Sequence, residues 1–153
     1  SDRDNYPKPP TARLYFETCN EFWWLCPYAA KGLWRQEITY AHAMLDEYLR
    51  EQLMKMLGWY VGIQTGFQRS IGKEGKYLPR YLTAEEWALL LRTYANADPE
   101  QTWEALFAMI ELFRRTAVPV GAHFGFVYPH AEDARVTAHL HLGRFQRGFK
   151  TLA

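Results

Sequence analysis

One apolar stripe constrains this chain more than any other feature: Ile38, Leu45, Leu49, Leu53, Met56, Tyr60 and Ile63 recur at steps of three, four or seven. Residues three and four apart lie on the same side of a helix, so the stripe reads as one long buried helical face. A face of that length needs partner helices to cover it. No run of alternating polar and apolar residues stands out elsewhere, and no Asn-Gly or Asp-Gly hairpin turn occurs. The chain is therefore expected to be all-α, a bundle of about five helices with long antiparallel members.

Prolines, glycines and caps divide the rest. Pro7, Pro9 and Pro10 favour an extended path, so residues 1–10 read as a linker. Thr11 stands where a helix N-cap belongs, ahead of Leu14, Phe16, Phe22, Trp23 and Leu25. Pro27 is predicted to end or kink this helix, and Gly32 is a second soft point. The long striped helix is expected from Trp34, closing at Gly62 and Gly66, with a loop over Phe67 to Leu82. Thr83-Ala-Glu-Glu86 spells a capping box, ahead of a face of Trp87, Leu90, Leu91 and Tyr94. Asp98, Pro99 and Gln101 form a second helix start, ahead of Trp103, Leu106, Phe107, Ile110 and Phe113, with a bend near Pro119. Gly125 to Pro129 reads as a turn, and a last helix is expected from about Ala131 to about Phe145.

With 153 residues the chain suits one domain, and 48% hydrophobic against 23% charged residues is a globular balance. Aromatic residues reach 16%, which implies a ring-filled core or exposed rings for a planar or sugar-like ligand. A net charge of +1, from 18 basic and 17 acidic side chains, is no footprint for general nucleic-acid binding. No acidic residue follows Asp133, and Arg135, Arg144, Arg147 and Lys150 read as a solvated basic end. Cys19 and Cys26 lie two helical turns apart, too far to bridge, and a reducing cytoplasm suits them. No secretory leader or membrane-spanning apolar run is apparent. The opening Ser1-Asp2-Arg3-Asp4, without a methionine, is expected to mark excision from a longer protein.

Two segments concentrate chemistry. In Asn20 to Glu37, Glu21, Trp24, Tyr28 and Lys31 share one helical face, as do Asn20, Trp24, Pro27 and Lys31. Rings beside a carboxylate suit a polycationic sugar, because the ring covers its apolar face while the carboxylate meets ammonium or guanidinium; the plainer alternative puts the tryptophans in the core with charges turned outward. In Ser70 to Arg80, Lys73 and Lys76 sit among glycines, which admits close approach by phosphate, or else a solvated basic turn. The spacing is not that of a Walker A loop. His139 and His141 point apart on a helix, and no HExxH, CxxC or GxSxG occurs. Asp2 and Asp4 lack a rigid strand and are not read as a metal site. Arg135 and His141 match the short Arg-x4–6-His spacing of HEPN-type ribonucleases.

The stretch NEFWWLCPYAAKGLWRQEITYA at 20–41 resembles the aminoglycoside 6-adenylyltransferase (streptomycin adenylyltransferase) family. REQLMKMLGWYVGI at 50–63, SIGKEGKYLPRYL at 70–82, TYANADPEQTWEALFAMIELFRRTA at 93–117 and HFGFVYPHAEDARVTAHL at 123–140 follow in the family's order. The resemblance implies an N-terminal nucleotidyltransferase domain of DNA polymerase β type, absent from this chain, joined through residues 1–10 to a helical C-terminal substrate-binding domain, residues 11–153. It implies Mg²⁺ held by aspartates of the absent domain, ATP as co-substrate, transfer of AMP to a hydroxyl of an aminoglycoside such as streptomycin, and antibiotic resistance as the result. Lys31, Lys73 and Lys76 are then expected to face nucleotide phosphate, and Glu21, Trp24, Tyr28 and Glu37 the drug. No catalytic residue and no metal ligand is expected within the chain, which alone should be inactive. Partners other than drug, ATP and the absent domain are not expected from nucleic acid or membrane; a homodimer is admitted by the aromatic load. The alternatives are a non-catalytic ligand-binding or antitoxin-like helical module and the HEPN-type ribonuclease.

Overall fold

The computed structural model describes residues 6–152, with side chains through Gln146. Among them every regular element is helical: α1 (Ala12–Trp34), α2 (Ile38–Ala43), a π-helical stretch (Met44–Leu49), α3 (Arg50–Thr65), α4 (Ala84–Arg92), α5 (Pro99–Phe124) and α6 (His130–Leu152). The π stretch joins α2 to α3 without a break, so the bundle has the five expected helices. Tyr6 to Pro10 are not helical, and Thr11 caps α1, its hydroxyl accepting from the Leu14 amide at 3.1 Å.

Four sequence expectations are corrected. Pro27 neither ends nor divides α1, which runs through it to Trp34. Proline removes one backbone donor, and the packing of Cys26, Ala29, Ala30 and Leu33 on either side holds the turn regardless. The striped helix begins at Ile38, not Trp34, because Gln36 takes a left-handed φ of 62° and reverses the chain. Gly32 is the close-approach point of that reversal: a Cβ there would stand 2.9 Å from the Tyr40 ring and 3.2 Å from Ala41. The core face of α1 is also phased differently, through Tyr15, Cys19, Phe22, Cys26 and Leu33, leaving Leu14 and Phe16 outside. Finally, of the face predicted for α4, Leu90 is buried but Leu91 and Tyr94 are exposed, and Leu89 is buried in their place.

The stripe itself packs as its period demands, with Leu45, Leu49, Leu53 and Met56 buried and Ile38, Tyr60 and Ile63 partly buried. Arg50, off the stripe, turns inward because the residues just past α4 supply partners: its guanidinium donates to the Thr93 hydroxyl (2.7 Å) and carbonyl (2.9 Å), stacks 3.8 Å from the Tyr94 ring and pairs with Asp46 at 3.6 Å. Gly66, at φ 63°, ends α3. Between α3 and α4 the predicted loop is tightened by 3₁₀ turns at Lys73–Gly75 and Leu78–Arg80. The Thr83–Glu86 capping box closes in both directions. At α5 only half of the predicted box forms: Asp98 accepts from the Gln101 amide, and Asn96, rather than Gln101, accepts from the Asp98 amide at 2.9 Å. α5 continues through the exposed Pro119 to a left-handed Gly125, and α6 starts one residue before the predicted position and extends past Phe145.

α1 lies across α2, α3, α5 and α6, while α3 and α4 pack on α5. The centre is aromatic: Phe22 and Phe113 stack at 3.8 Å with Trp23 edge-on to Phe22 at 5.1 Å.

Candidate functional site

The residues of the α1 stripe share one face, as their spacing predicts, and that face turns outward. Trp23 is fully buried, whereas its neighbour Trp24 is 64% exposed and meets Tyr28 at 6.0 Å between ring centroids. Glu21, Trp24, Tyr28 and Lys31 all lie on the exposed side of α1. At the N-terminal end of this stripe a groove of about 790 Å³ opens between α1 and α3, lined by Glu17, Glu21 and Trp24 on one wall and Gln52, Lys55 and Trp59 on the other. Glu17 and Trp59 were missed in the sequence; extending the four- and three-residue spacing one turn back from Glu21 would have found Glu17, but Trp59 arrives from a different helix. Arg13 pairs with Glu17 at 2.8 Å and Glu51 with Lys55 at 3.7 Å. An indole-walled groove rimmed by carboxylates can cover the apolar face of a sugar and meet its cationic substituents. Glu37 does not join it. It caps α2 at the opposite end of α1, exposed, its amide donating to the Gly32 carbonyl at 2.8 Å.

The three expected phosphate-facing lysines fall into two places. Lys73 and Lys76 line a cavity of about 600 Å³ together with Arg69 and Arg80, which sequence reading passed over, and with Tyr6 and Tyr77. Lys31 lines another, of about 370 Å³, between the end of α1 and α6, with Trp34, Trp103 and His139. The two cavities share no lining residue. The basic one is preformed: Tyr77 donates its amide to the Ile71 carbonyl at 2.8 Å, Leu78 is buried, and the Arg80 guanidinium lies 4.1 Å from the Tyr77 ring centre.

Other titratable groups are structural. Asp133 is buried and accepts from Arg114 through two nitrogens at 2.7 Å, from the Tyr128 hydroxyl at 2.7 Å and from Thr137 at 2.9 Å. Burial alone would raise its pKa, but the hydrogen bonds of Arg114, Tyr128 and Thr137 and the Arg114 charge outweigh it and hold the carboxyl below its ordinary value. Burial, then the bond to Asp133, pushes the Tyr128 phenol up. The Cys19 thiol, buried and free, is pushed up to about 12, and burial likewise raises Cys26. His141 stacks on Phe107 at 4.2 Å and Arg135 pairs with Glu132 at 2.7 Å, so the two are held by different neighbours. Among the described residues no group of three or more His, Cys, Asp or Glu could hold a metal ion, and no helix is long and apolar enough to cross a membrane. Asp2 and Asp4, and the side chains of Arg147 and Lys150, lie outside the described residues.

Residues 1–142 match the family described as streptomycin adenylyltransferase. The chain is 37% identical over 133 residues to an aminoglycoside 6-adenylyltransferase of Bacillus subtilis strain 168, covering 87% of this chain and 47% of that protein. It is 35% identical over 131 residues to one from Staphylococcus aureus, covering 86% and 46%. A crystal structure of an aminoglycoside 6-adenyltransferase from Bacillus subtilis superposes with a TM-score of 0.81 at 36% identity, over 94% of this chain and 54% of that one. The chain thus spans about half the length of the curated relatives it matches, and on the match over residues 1–142 it belongs to the streptomycin adenylyltransferase family.

Proposed function

We propose that this chain is the helical substrate-side half of an aminoglycoside adenylyltransferase, closing over ATP and drug while the transfer of AMP takes place. The observation that carries the reading is the outward α1 stripe of Glu21, Trp24, Tyr28 and Lys31 in a chain of this family. Glu21 and Trp24, with Tyr28 adjoining, would receive the cationic drug; Lys31 at the far end of the stripe, and Lys73 and Lys76 in the basic cavity, would face phosphate. Glu37 stands nearer Lys31 than the groove and would touch only a drug that reaches along the whole stripe.

In this reading an oxygen of the drug hydroxyl bonds to the α-phosphorus of ATP as the bond from that phosphorus to pyrophosphate breaks. The hydroxyl proton passes to a carboxylate base outside this chain. The described residues do not fit a magnesium site, and the ion belongs in this reading to the half of the enzyme that the chain does not span. What this chain supplies is placement of the acceptor and cationic stabilisation of the departing phosphates. Residues 1–10 act as the linker, and the assembled enzyme works in the cytoplasm.

The test is adenylyl transfer by the full-length parent with ATP, magnesium and streptomycin, with the 153-residue chain in parallel. Turnover by the parent alone is the expected result. A parent inactive on every aminoglycoside offered would remove the drug assignment of Glu21, Trp24, Tyr28 and Glu37. RNA cleavage abolished by Arg135→Ala and His141→Ala would favour the ribonuclease instead.

A further inference from the structure

The segment that leads into α1 is stiffer and better seated than a tether needs to be. Pro7, Pro9 and Pro10 each fix their own φ and lack an N–H, and each holds the residue before it extended. A proline-rich path of this kind turns once in three residues, which puts Pro7 and Pro10 on one side and turns Lys8 and Pro9 away from it. Burial follows that period: Pro10 is buried and Pro7 half-buried, whereas Lys8 and Pro9 are exposed. The segment therefore lies along the bundle with one edge set into it, rather than crossing open solvent.

The seat for Pro7 is on α3. Gly58 is buried there, and a Cβ placed on it would stand 3.9 Å from the Pro7 Cβ and 3.9 Å from the Ile71 Cδ1. Both are ordinary contact distances, so a methyl group fits, while a branched side chain would have to push Pro7 or Ile71 aside. Glycine inside a helix costs conformational freedom; here the bare backbone is what lets the proline ring lie against α3. Ile71, on the loop after α3, packs on the core and forms the other side of the seat. At its far end the segment runs from buried Pro10 directly into Thr11, whose hydroxyl caps α1 at 3.1 Å. The path is thus pinned twice, to α3 through Pro7 and to α1 through Thr11, with prolines stiffening the span between. Tyr6, the next residue outward, already lines the basic cavity beside Lys73 and Lys76.

We propose that residues 7–10 are a docked strap that fixes the direction in which the other half of the enzyme joins the bundle, with Pro7 and Gly58 as its positioning residues, and that the strap stays on α3 while the halves close over ATP and drug. Neither residue touches substrate. Their effect is to present the side chains of this half to the other half in one register, which preserves orientation that a free tether would lose. The proposal rests on the reading of residues 1–10 as the linker of an adenylyltransferase. Docking is read without turnover, so the two can fail separately.

The experiment is a reversible cross-link in the full-length parent. The 3.9 Å separation lies within the range of about 3.5–4.5 Å that a disulfide requires between its Cβ atoms. Pro7→Cys combined with Gly58→Cys should therefore close a bridge as oxidised glutathione takes up the hydrogens and electrons of the two thiols, while either variant alone should not. Cys19 and Cys26 are buried and do not compete. Mass spectrometry of the bridged peptide reads the yield. The solution X-ray scattering profile should be the same bridged and reduced, and kcat for adenylyl transfer should agree within about threefold. Gly58→Ala should behave as the parent. Gly58→Leu should lower kcat about tenfold and leave the KM for ATP and for streptomycin within about threefold, the pattern of lost orientation rather than lost binding. Thermal midpoints check that each variant is folded, and if Gly58→Leu is not, the bridge carries the test. A folded protein with no more bridge than the single variants would overturn the strap, as would a scattering profile that changes on bridging. A bridged parent that loses kcat about tenfold and regains it on reduction would show that the strap must leave α3, and would also overturn the proposal. Full kcat in folded Gly58→Leu would remove the positioning role. Turnover without a bridge would remove the strap and leave the adenylyltransferase reading intact; a bridge and an unchanged profile in a parent without turnover would do the reverse.

Discussion

At Asp133 a carboxylate sits beyond the reach of water and is answered by Arg114, Tyr128 and Thr137, which tie the turn before α6 to α5. Asp133→Asn leaves Arg114 facing a neutral amide, and the loss should be about 3 kcal/mol by urea denaturation. Because the folded pKa is depressed, the carboxylate's contribution is present above the unfolded value, roughly 4, and is lost as pH falls through it toward the folded value. Acid unfolding of the parent sequence should therefore steepen below about pH 4, and Asp133→Asn should flatten that slope. Gly121 is as exacting for a steric reason: a Cβ there would come 2.5 Å from the Tyr15 hydroxyl and 2.9 Å from the Phe126 carbonyl. That hydroxyl is already committed to the Ala117 carbonyl at 2.7 Å, so it cannot simply swing away. Gly121→Ala should cost about 2–3 kcal/mol, read as a lower denaturation midpoint. Neither residue has a structural role legible in the sequence, since one decisive partner of each, Arg114 for Asp133 and Tyr15 for Gly121, lies far along the chain.

At the level of elements, helix starts were legible and helix faces less so. Thr11, Thr83 and Asp98 all cap the helices they precede, because a cap is a local exchange between a side chain and amides two or three residues on. Thr83→Ala should cost about 1 kcal/mol, and the loss should exceed that of Thr11→Ala, because Glu86 of the same box also receives the Tyr60 hydroxyl from α3. Burial and that bond push the Tyr60 phenol up to about 12. Pro27 does not end α1 because a missing donor is a local cost, whereas α1 as a whole is packed against α2, α3, α5 and α6. Arg50 is buried against the ordinary preference of a charge for water because Thr93, Tyr94 and Asp46 answer its guanidinium.

For the whole molecule, the exposed stripe is the prediction with most at stake. Trp24 is mostly exposed, so Trp24→Ala should change stability by less than about 0.5 kcal/mol. In the full-length parent it should raise the streptomycin KM about tenfold while leaving kcat within about threefold, the pattern of lost ground-state binding. An unchanged KM would take the drug away from this groove. The division between sequence and structure follows the range of the forces involved. Helical class, the buried stripe of the second long helix, the caps, and the sharing of one helical face by Glu21, Trp24, Tyr28 and Lys31 were determined by the sequence itself, since periodicity and capping act over three or four residues. Which tryptophan of the pair at 23 and 24 enters the core, the joining of Trp59 to Glu17 and Glu21, the separation of Lys31 from Lys73 and Lys76, and the addition of Arg69 and Arg80 to that pair were decided only by the tertiary structure. Each depends on where one helix meets another, and that is set by packing over the whole bundle rather than by any one segment of it.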